Sequence, residues 1–199
     1  MVYGDERDSF RIGSYRGIPV FLHWTWILGA LIVLAVGSFD LLAAIGLVLG
    51  ATLVIFVHEL GHAAILRAYR GRVLAIAFFA WGGECRYVDE DLDPLQRSVV
   101  AWGGVLGQAA LFAIAWMVVG TRKRFGVSFV DALVWAMLAM NVRMMVLNLL
   151  PVRPFDGRHA LSLPLQVFRR YRARRTAEDT LKNVRRKGHL RLVGKDDAG

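Results

Sequence analysis

The stretch LLAAIGLVLGATLVIFVHELGHAAIL, Leu41 to Leu66, decides how this chain must fold. From Leu41 to Val57 it carries no charge, and its final turns then carry His58, Glu59 and His62. The hydrocarbon core of a bilayer is about 30 Å thick and a helix rises about 1.5 Å per residue, so about 20 apolar residues make a span. The stretch predicts a transmembrane helix with ionisable side chains near one end. Charged groups near the middle of a span cost about 2.5–3.5 kcal/mol each on insertion scales, so residues retained there usually mark function.

Outward from this helix, apolar blocks of spanning length recur at about 18–39, 98–121 and 127–150. No charge falls between Arg16 and Asp40, Arg97 and Arg122 bracket the next block, and Asp131 and Arg143 interrupt the last. Of the 199 residues 56% are apolar and the mean hydropathy is +0.43, which disfavours a water-soluble domain. Val73 to Tyr87 reads differently. It alternates and is rich in β-branched and aromatic residues around Gly82-Gly83, the pattern of a hairpin or re-entrant sheet.

The fold expected from these blocks is an all-α polytopic membrane protein of about four transmembrane helices, 18–39, 41–66, 98–121 and 127–150. A small β-hairpin or re-entrant sheet follows the second. Residues 1–163 form the expected core and 164–199 a basic cytoplasmic tail. Met1 to Arg16 mixes Asp5, Glu6 and Asp8 with arginines and lacks the order of a cleaved signal, so the first span is expected to stay in the mature chain. The lone Cys85 excludes an internal disulfide and a thiolate metal cluster.

Net charge is +9, and its placement orients the spans, because Lys and Arg beside spans stay cytoplasmic. Three arginines precede the first span, five lie between the second and third (Arg67, Arg70, Arg72, Arg86, Arg97), and thirteen Lys and Arg follow from Arg153. Arg122, Lys123 and Arg124 argue the other way. Both termini are expected on the cytoplasmic side of a prokaryotic plasma membrane. His58, 17 residues past Leu41 and so about 26 Å along the helix, then lies near the cytoplasmic face.

His58 and His62, four residues apart, sit about 40° apart on one helix face, so two imidazoles can bind one metal ion, with Glu59 beside them. Zinc lowers the pKa of a bound water to about 7 and polarises a peptide carbonyl, while a carboxylate takes the proton and passes it to the leaving amine. His-Glu-x-x-His alone is a moderate signal, and its place inside a span strengthens it. The bland reading is a pair of boundary histidines near Arg67. A catalytic zinc commonly takes three protein ligands. Glu84, Asp131, Asp156, His23, His159 and His189 are the candidates for the third. Asp156 stands out, because Pro151 and Pro154 must unwind the helix ahead of it, and irregular backbone at membrane depth needs a cavity or protein around it.

His58-Glu-Leu-Gly-His62, taken with Asn148-Leu-Leu-Pro151 and Asp156-Gly157, resembles the site-2 protease family of intramembrane zinc metalloproteases. The likeness runs from about Phe10 to Leu163, with Gly17-Ile-Pro-Val, His23-Trp24 and Gly82-Gly83, and it is closest to a compact subgroup without PDZ or CBS domains. It implies zinc bound by His58, His62 and Asp156, Glu59 as general base, and Asn148 positioning the substrate backbone. It implies a zinc metalloendopeptidase that cuts membrane-anchored proteins near the cytoplasmic face, in regulated intramembrane proteolysis. An exposed strand within Val73 to Tyr87 would capture unwound substrate by β-augmentation. Arg158 stands where the family usually has a second glycine, and Gly103-Gly104-Val-Leu-Gly107-Gln108 matches the family only loosely, with close helix packing as its simpler reading.

Other residues read more plainly. Asn141 shares a helix face with Asn148 and suits either a polar cleft wall or an interhelical hydrogen bond. Arg143 points about 140° away from Asn148, His23 suits interfacial anchoring beside Trp24 and Trp26, and His159 suits either an alternative ligand or a hydrogen-bond partner of one. Arg169, Arg170, Arg172, Arg174 and Arg175 in the tail suit anionic lipid headgroups, with no nucleic acid expected. The competing class is a non-proteolytic membrane protein with a structural or metal-handling zinc site, which has no need of Glu59.

Overall fold

A computed structural model describes residues 8–36, 40–88, 92–120 and 125–196, with side chains as far as 186. The predicted span ends at 37–39 and 121, the opposing cations Arg122 to Arg124, and the side chain of His189 lie outside the described residues.

The chain opens on two antiparallel strands, β1 (Ser9–Tyr15) and β2 (Ile18–His23), with Tyr15 opposite Ile18. Arg16 and Gly17 join them at φ of 48° and 81°, the type I′ geometry whose twist suits a two-residue hairpin. Two helices follow, α1 (Trp24–Val36) and α2 (Leu41–Ala68). β3 (Val73–Phe79) then pairs parallel with β2, and β4 (Gly82–Tyr87) antiparallel with β3, giving one sheet in the order β1-β2-β3-β4. Next come α3 (Pro94–Val119), α4 (Ser128–Trp135), a π-helical segment (Ala136–Met140) and α5 (Asn141–Asn148). A short α6 (Gly157–Ala160) and α7 (Leu163–Asp196) end the chain.

This corrects the all-helical reading of the first apolar block. Ile18–His23 is a strand held between β1 and β3, and among the described residues of the block the 13 of α1 are helical, about 20 Å of rise against the roughly 30 Å a span needs. An apolar run does not distinguish a buried strand from a helix, and here pairing decides, with Ile18 and Val20 buried in the sheet. Among the described residues three helices are long and apolar enough to cross a membrane: α2 with 28 residues, α3 with 26, and the continuous helix Ser128–Asn148 with 21. The sheet is also larger than the expected hairpin, since two of its four strands precede α1.

Packing on α2 inverts the water-soluble pattern. Its buried face mixes small and polar residues, Ala44, Gly46, Gly50, His58, Glu59, His62 and Ala63, with Val54, Ile55 and Leu66, whereas Leu41, Leu42, Leu49 and Leu53 face outward. Small residues let neighbouring backbones approach, which drives helix association where burial from water cannot. A Cβ on Gly50 would meet Ala136 of the π segment at 2.6 Å, and Gly61 faces the backbone of Gly103 directly. Ile18, Val20, Ile76 and Phe78 of the sheet pack with Ile55 and Ala63 of α2, so the sheet lies against the helix that carries the histidines. α3 starts four residues before the expected 98, where Asp93 and Gln96 form a reciprocal capping box and Pro94 fills the first turn.

The chain divides into two compact units, Met1–Leu161 and Ser162–Gly199. The second is α7, in which Arg172 stacks over Phe168 and Arg175 over Tyr171.

Candidate metal centre

α2 carries His58 and His62 one turn apart, with ring planes at 89° and centroids 4.6 Å apart. The third group comes from far along the chain. α5 ends at Asn148, the backbone bends through Pro151 and Pro154, and Asp156 opens α6. Gly157 makes that return possible, because a Cβ there would overlap the backbone of Leu149 and Leu150. The indole of Trp102 on α3 donates to the carbonyl of Ala160 at 2.9 Å and ties α6 down. Arg158 is exposed, so a side chain in place of glycine disturbs no packing there.

His58 Nε2 lies 3.0 Å from Asp156 Oδ2, His62 Nε2 lies 3.1 Å from the same oxygen, and the two Nε2 atoms are 3.1 Å apart. The outer nitrogens are both occupied: His62 Nδ1 faces the backbone carbonyl of Val100 at 2.8 Å, and His58 Nδ1 faces Gln108 Oε1 at 3.0 Å. Both partners are acceptors, so each Nδ1 carries the hydrogen and each Nε2 turns a lone pair inward. Three inward lone pairs repel unless a cation sits among them. Ligand atoms about 2.0–2.2 Å from a tetrahedral zinc stand about 3.3–3.5 Å apart, so this triangle needs to open by only a few tenths of an ångström. The donor set therefore fits zinc.

Glu59 lies beside this triangle. It is buried, its carboxylate faces the backbone N–H of Cys85, and a Cβ on Gly83 would come within 2.6 Å of its Oε1. Gly83 thus leaves room for the acid against β4, an edge strand of the sheet. Asn148 Nδ2 is 3.4 Å from both ring nitrogens of His58, which places its amide over the imidazole.

Among the described residues, His58, His62 and Asp156 are the group whose ligand atoms converge, all within 4.8 Å of one another. The other candidates are engaged elsewhere. His23 Nδ1 contacts Thr25 Oγ1 at 2.8 Å and its ring packs on Trp24 and Phe79. Glu84 pairs with Arg86 at 2.9 Å, Asp131 accepts from the backbone of Phe125, and His159 stands outside the converging group. Asn141 makes an interhelical bond, donating to the carbonyl of Gln108 at 3.0 Å, and Arg143 is exposed and stacks on Trp135.

Two residues of the site were not singled out by sequence. Gln108 contacts His58, and Gly104 lets α3 pass the imidazole, since a Cβ there would lie 2.6 Å from Nδ1 and 2.7 Å from Nε2. Their signal was present in Gly103-Gly104-Val-Leu-Gly107-Gln108, a polar side chain at the edge of a small-residue run.

No family model matches the chain. It is 30% identical over 167 residues to a Synechocystis protein named "Putative zinc metalloprotease sll0528", covering 77% of this chain and 43% of that one. It is 27% identical over 169 residues to "Putative zinc metalloprotease Rip3" of Mycobacterium tuberculosis, covering 76% of this chain and 42% of the relative. The chain thus spans less than half the length of these relatives. In fold it is similar to the site-2 protease from Methanocaldococcus jannaschii, with a TM-score of 0.60 and 20% identity over 79% of this chain and 71% of that one.

Proposed function

We propose that the chain is a member of the site-2 protease family, an intramembrane zinc metalloprotease hydrolysing peptide bonds of membrane-anchored proteins near the cytoplasmic face, a reading supported by its likeness to two putative zinc metalloproteases and by its fold. The observation that carries this reading is the convergence of His58 Nε2, His62 Nε2 and Asp156 Oδ2 with the buried Glu59 alongside. His58, His62 and Asp156 would hold the zinc, and residues 1–163 would form the working core. When bound, zinc supplies Lewis acidity, polarising the scissile carbonyl and making water a nucleophile near neutral pH.

The remaining steps belong to the protein's own side chains. Glu59 takes the proton from the attacking water on its carboxylate and delivers it to the leaving amine. The room that Gly83 leaves and the nearby Cys85 N–H support that role. The Asn148 amide, over His58, would hydrogen-bond a substrate carbonyl. Helical peptide bonds are already satisfied and shielded, so substrate must unwind, and the outer edge of β4 can pair with the extended segment. Such a step suits regulated intramembrane proteolysis. The arrangement of Lys and Arg supports cytoplasmic termini in a prokaryotic plasma membrane, with the arginines of 164–199 against anionic lipid.

Glu59→Gln tests the mechanism. Zinc stays bound while cleavage of a co-expressed single-span substrate stops. Undiminished cleavage would remove Glu59 as the base, and a wild-type protein that holds zinc yet cleaves nothing would favour a structural or metal-handling site.

A further inference from the structure

The two histidines are held by hydrogen bonds of different kinds. His62 Nδ1 meets the Val100 carbonyl, which any residue at 100 would supply, whereas His58 Nδ1 depends on one side chain, the Oε1 of Gln108. Gln108 is fully buried in α3, and its Nε2 has no hydrogen-bond partner among the described residues. A buried unpaired donor is destabilising, and a leucine of similar size would avoid it. The one contact that offsets a polar side chain at this position is the acceptor it presents to His58.

A neutral imidazole carries its hydrogen on one nitrogen or the other, and both alternatives have a partner here. With the hydrogen on Nδ1 it donates to Gln108, and Nε2 is bare. Were it on Nε2, it would donate to Asp156 Oδ2, 3.0 Å away, and place a proton where the zinc must bind. Gln108 opposes the second arrangement. Its turn of α3 is fixed from the other side as well, because Asn141 Nδ2 donates to the Gln108 carbonyl at 3.0 Å and to Met137 O at 3.2 Å. Asn141 follows directly on the π segment, an insertion in a helix of the kind that gathers at functional sites.

We infer that Gln108 is a positioning residue for the metal: its Oε1 holds the hydrogen of His58 on Nδ1, so that Nε2 points bare at His62 and Asp156. This deepens the metal reading given above and rests on it.

The test uses the purified full chain in detergent, with zinc affinity measured against a competing chelator, cobalt absorption as a reporter of ligand geometry, and nitrogen NMR of labelled histidine in the metal-free protein. Gln108→Leu removes the acceptor, Gln108→Glu keeps an acceptor oxygen, and His58→Ala removes the ligand. Loss of an outer hydrogen bond to a metal-bound histidine typically lowers affinity about 10–100-fold. Gln108→Leu is expected to fall in that range, with its His58 resonance moved toward the Nε2–H form and no drop in the unfolding temperature of the metal-free protein. Gln108→Glu is expected to recover most of the affinity. If Gln108→Leu does not fold, Gln108→Met, of similar length, takes its place with the same expectation. Wild-type affinity and cobalt spectrum in Gln108→Leu or Gln108→Met, with His58→Ala metal-free, would overturn the inference while leaving the metal centre standing. Equal zinc binding by wild type and His58→Ala would overturn both.

Discussion

Replacing Gly104 by alanine is the smallest change that reaches the metal triangle without touching a ligand. The new Cβ would stand 2.6 Å from His58 Nδ1, about 0.8 Å inside the 3.4 Å at which ordinary contact begins, and closer still to Cε1. Retreat of α3 would open its close backbone approach to α2 at Gly61 and Gly103, where a Cβ on Gly103 would stand only 2.8 Å from the Gly61 carbonyl carbon, and would give up the packing that holds the two helices together. The imidazole must therefore swing, carrying Nε2 by several tenths of an ångström, where metal–ligand distances tolerate about 0.2 Å. The expected result is a loss of zinc affinity of at least 10–100-fold, about 1.4–2.7 kcal/mol, measured by chelator competition on protein that remains folded. Gly29→Ala in α1 is the control, since its Cβ meets only Ala80 at 3.5 Å, and it should keep wild-type zinc. Wild-type affinity in Gly104→Ala would show that His58 is not held where these distances require, and would refute the packing argument.

Asp156→Ala should lower the zinc content of purified protein, read by metal analysis; unchanged content would redirect attention to His159 or Glu84. Gly83→Ala, whose Cβ would crowd Glu59 Oε1 at 2.6 Å, should cut peptide cleavage while zinc content stays at the wild-type level. Asn148→Ala should raise KM for a membrane-anchored substrate more than it lowers zinc occupancy, seen by comparing cleavage kinetics with metal analysis. Gly157→Ala forces a side chain into the Leu149 and Leu150 backbone and should destabilise the fold by about 1–3 kcal/mol or more, in contrast to a neutral Arg158→Gly, both read by thermal unfolding.

The most legible part of the sequence was local chemistry with a fixed spacing. Two histidines four apart on a helix must share a face, so His58 and His62 were placed once the helix was, and prolines at 151 and 154 announced the break that brings Asp156 back. Length and hydropathy likewise marked α2, α3 and Ser128–Asn148 as helices of spanning length. The first block was misread because an apolar run is compatible with both strand and helix, and only pairing of Ile18–His23 between β1 and β3 decides. The π segment carried no sequence signal, since one extra residue in a turn leaves composition and periodicity almost unchanged.

By itself, then, the sequence determined that His58, Glu59 and His62 share one turn of α2 and that prolines break the chain ahead of Asp156, because covalent spacing along a helix and the proline ring set those relations. Tertiary structure alone decided what surrounds them: the Gln108 acceptor 50 residues from His58, the glycines at 61, 103 and 104 that let α2 and α3 touch, and the β4 strand against Glu59. Those contacts depend on helix rotation and approach distance, which no local pattern encodes and which only the packed chain fixes.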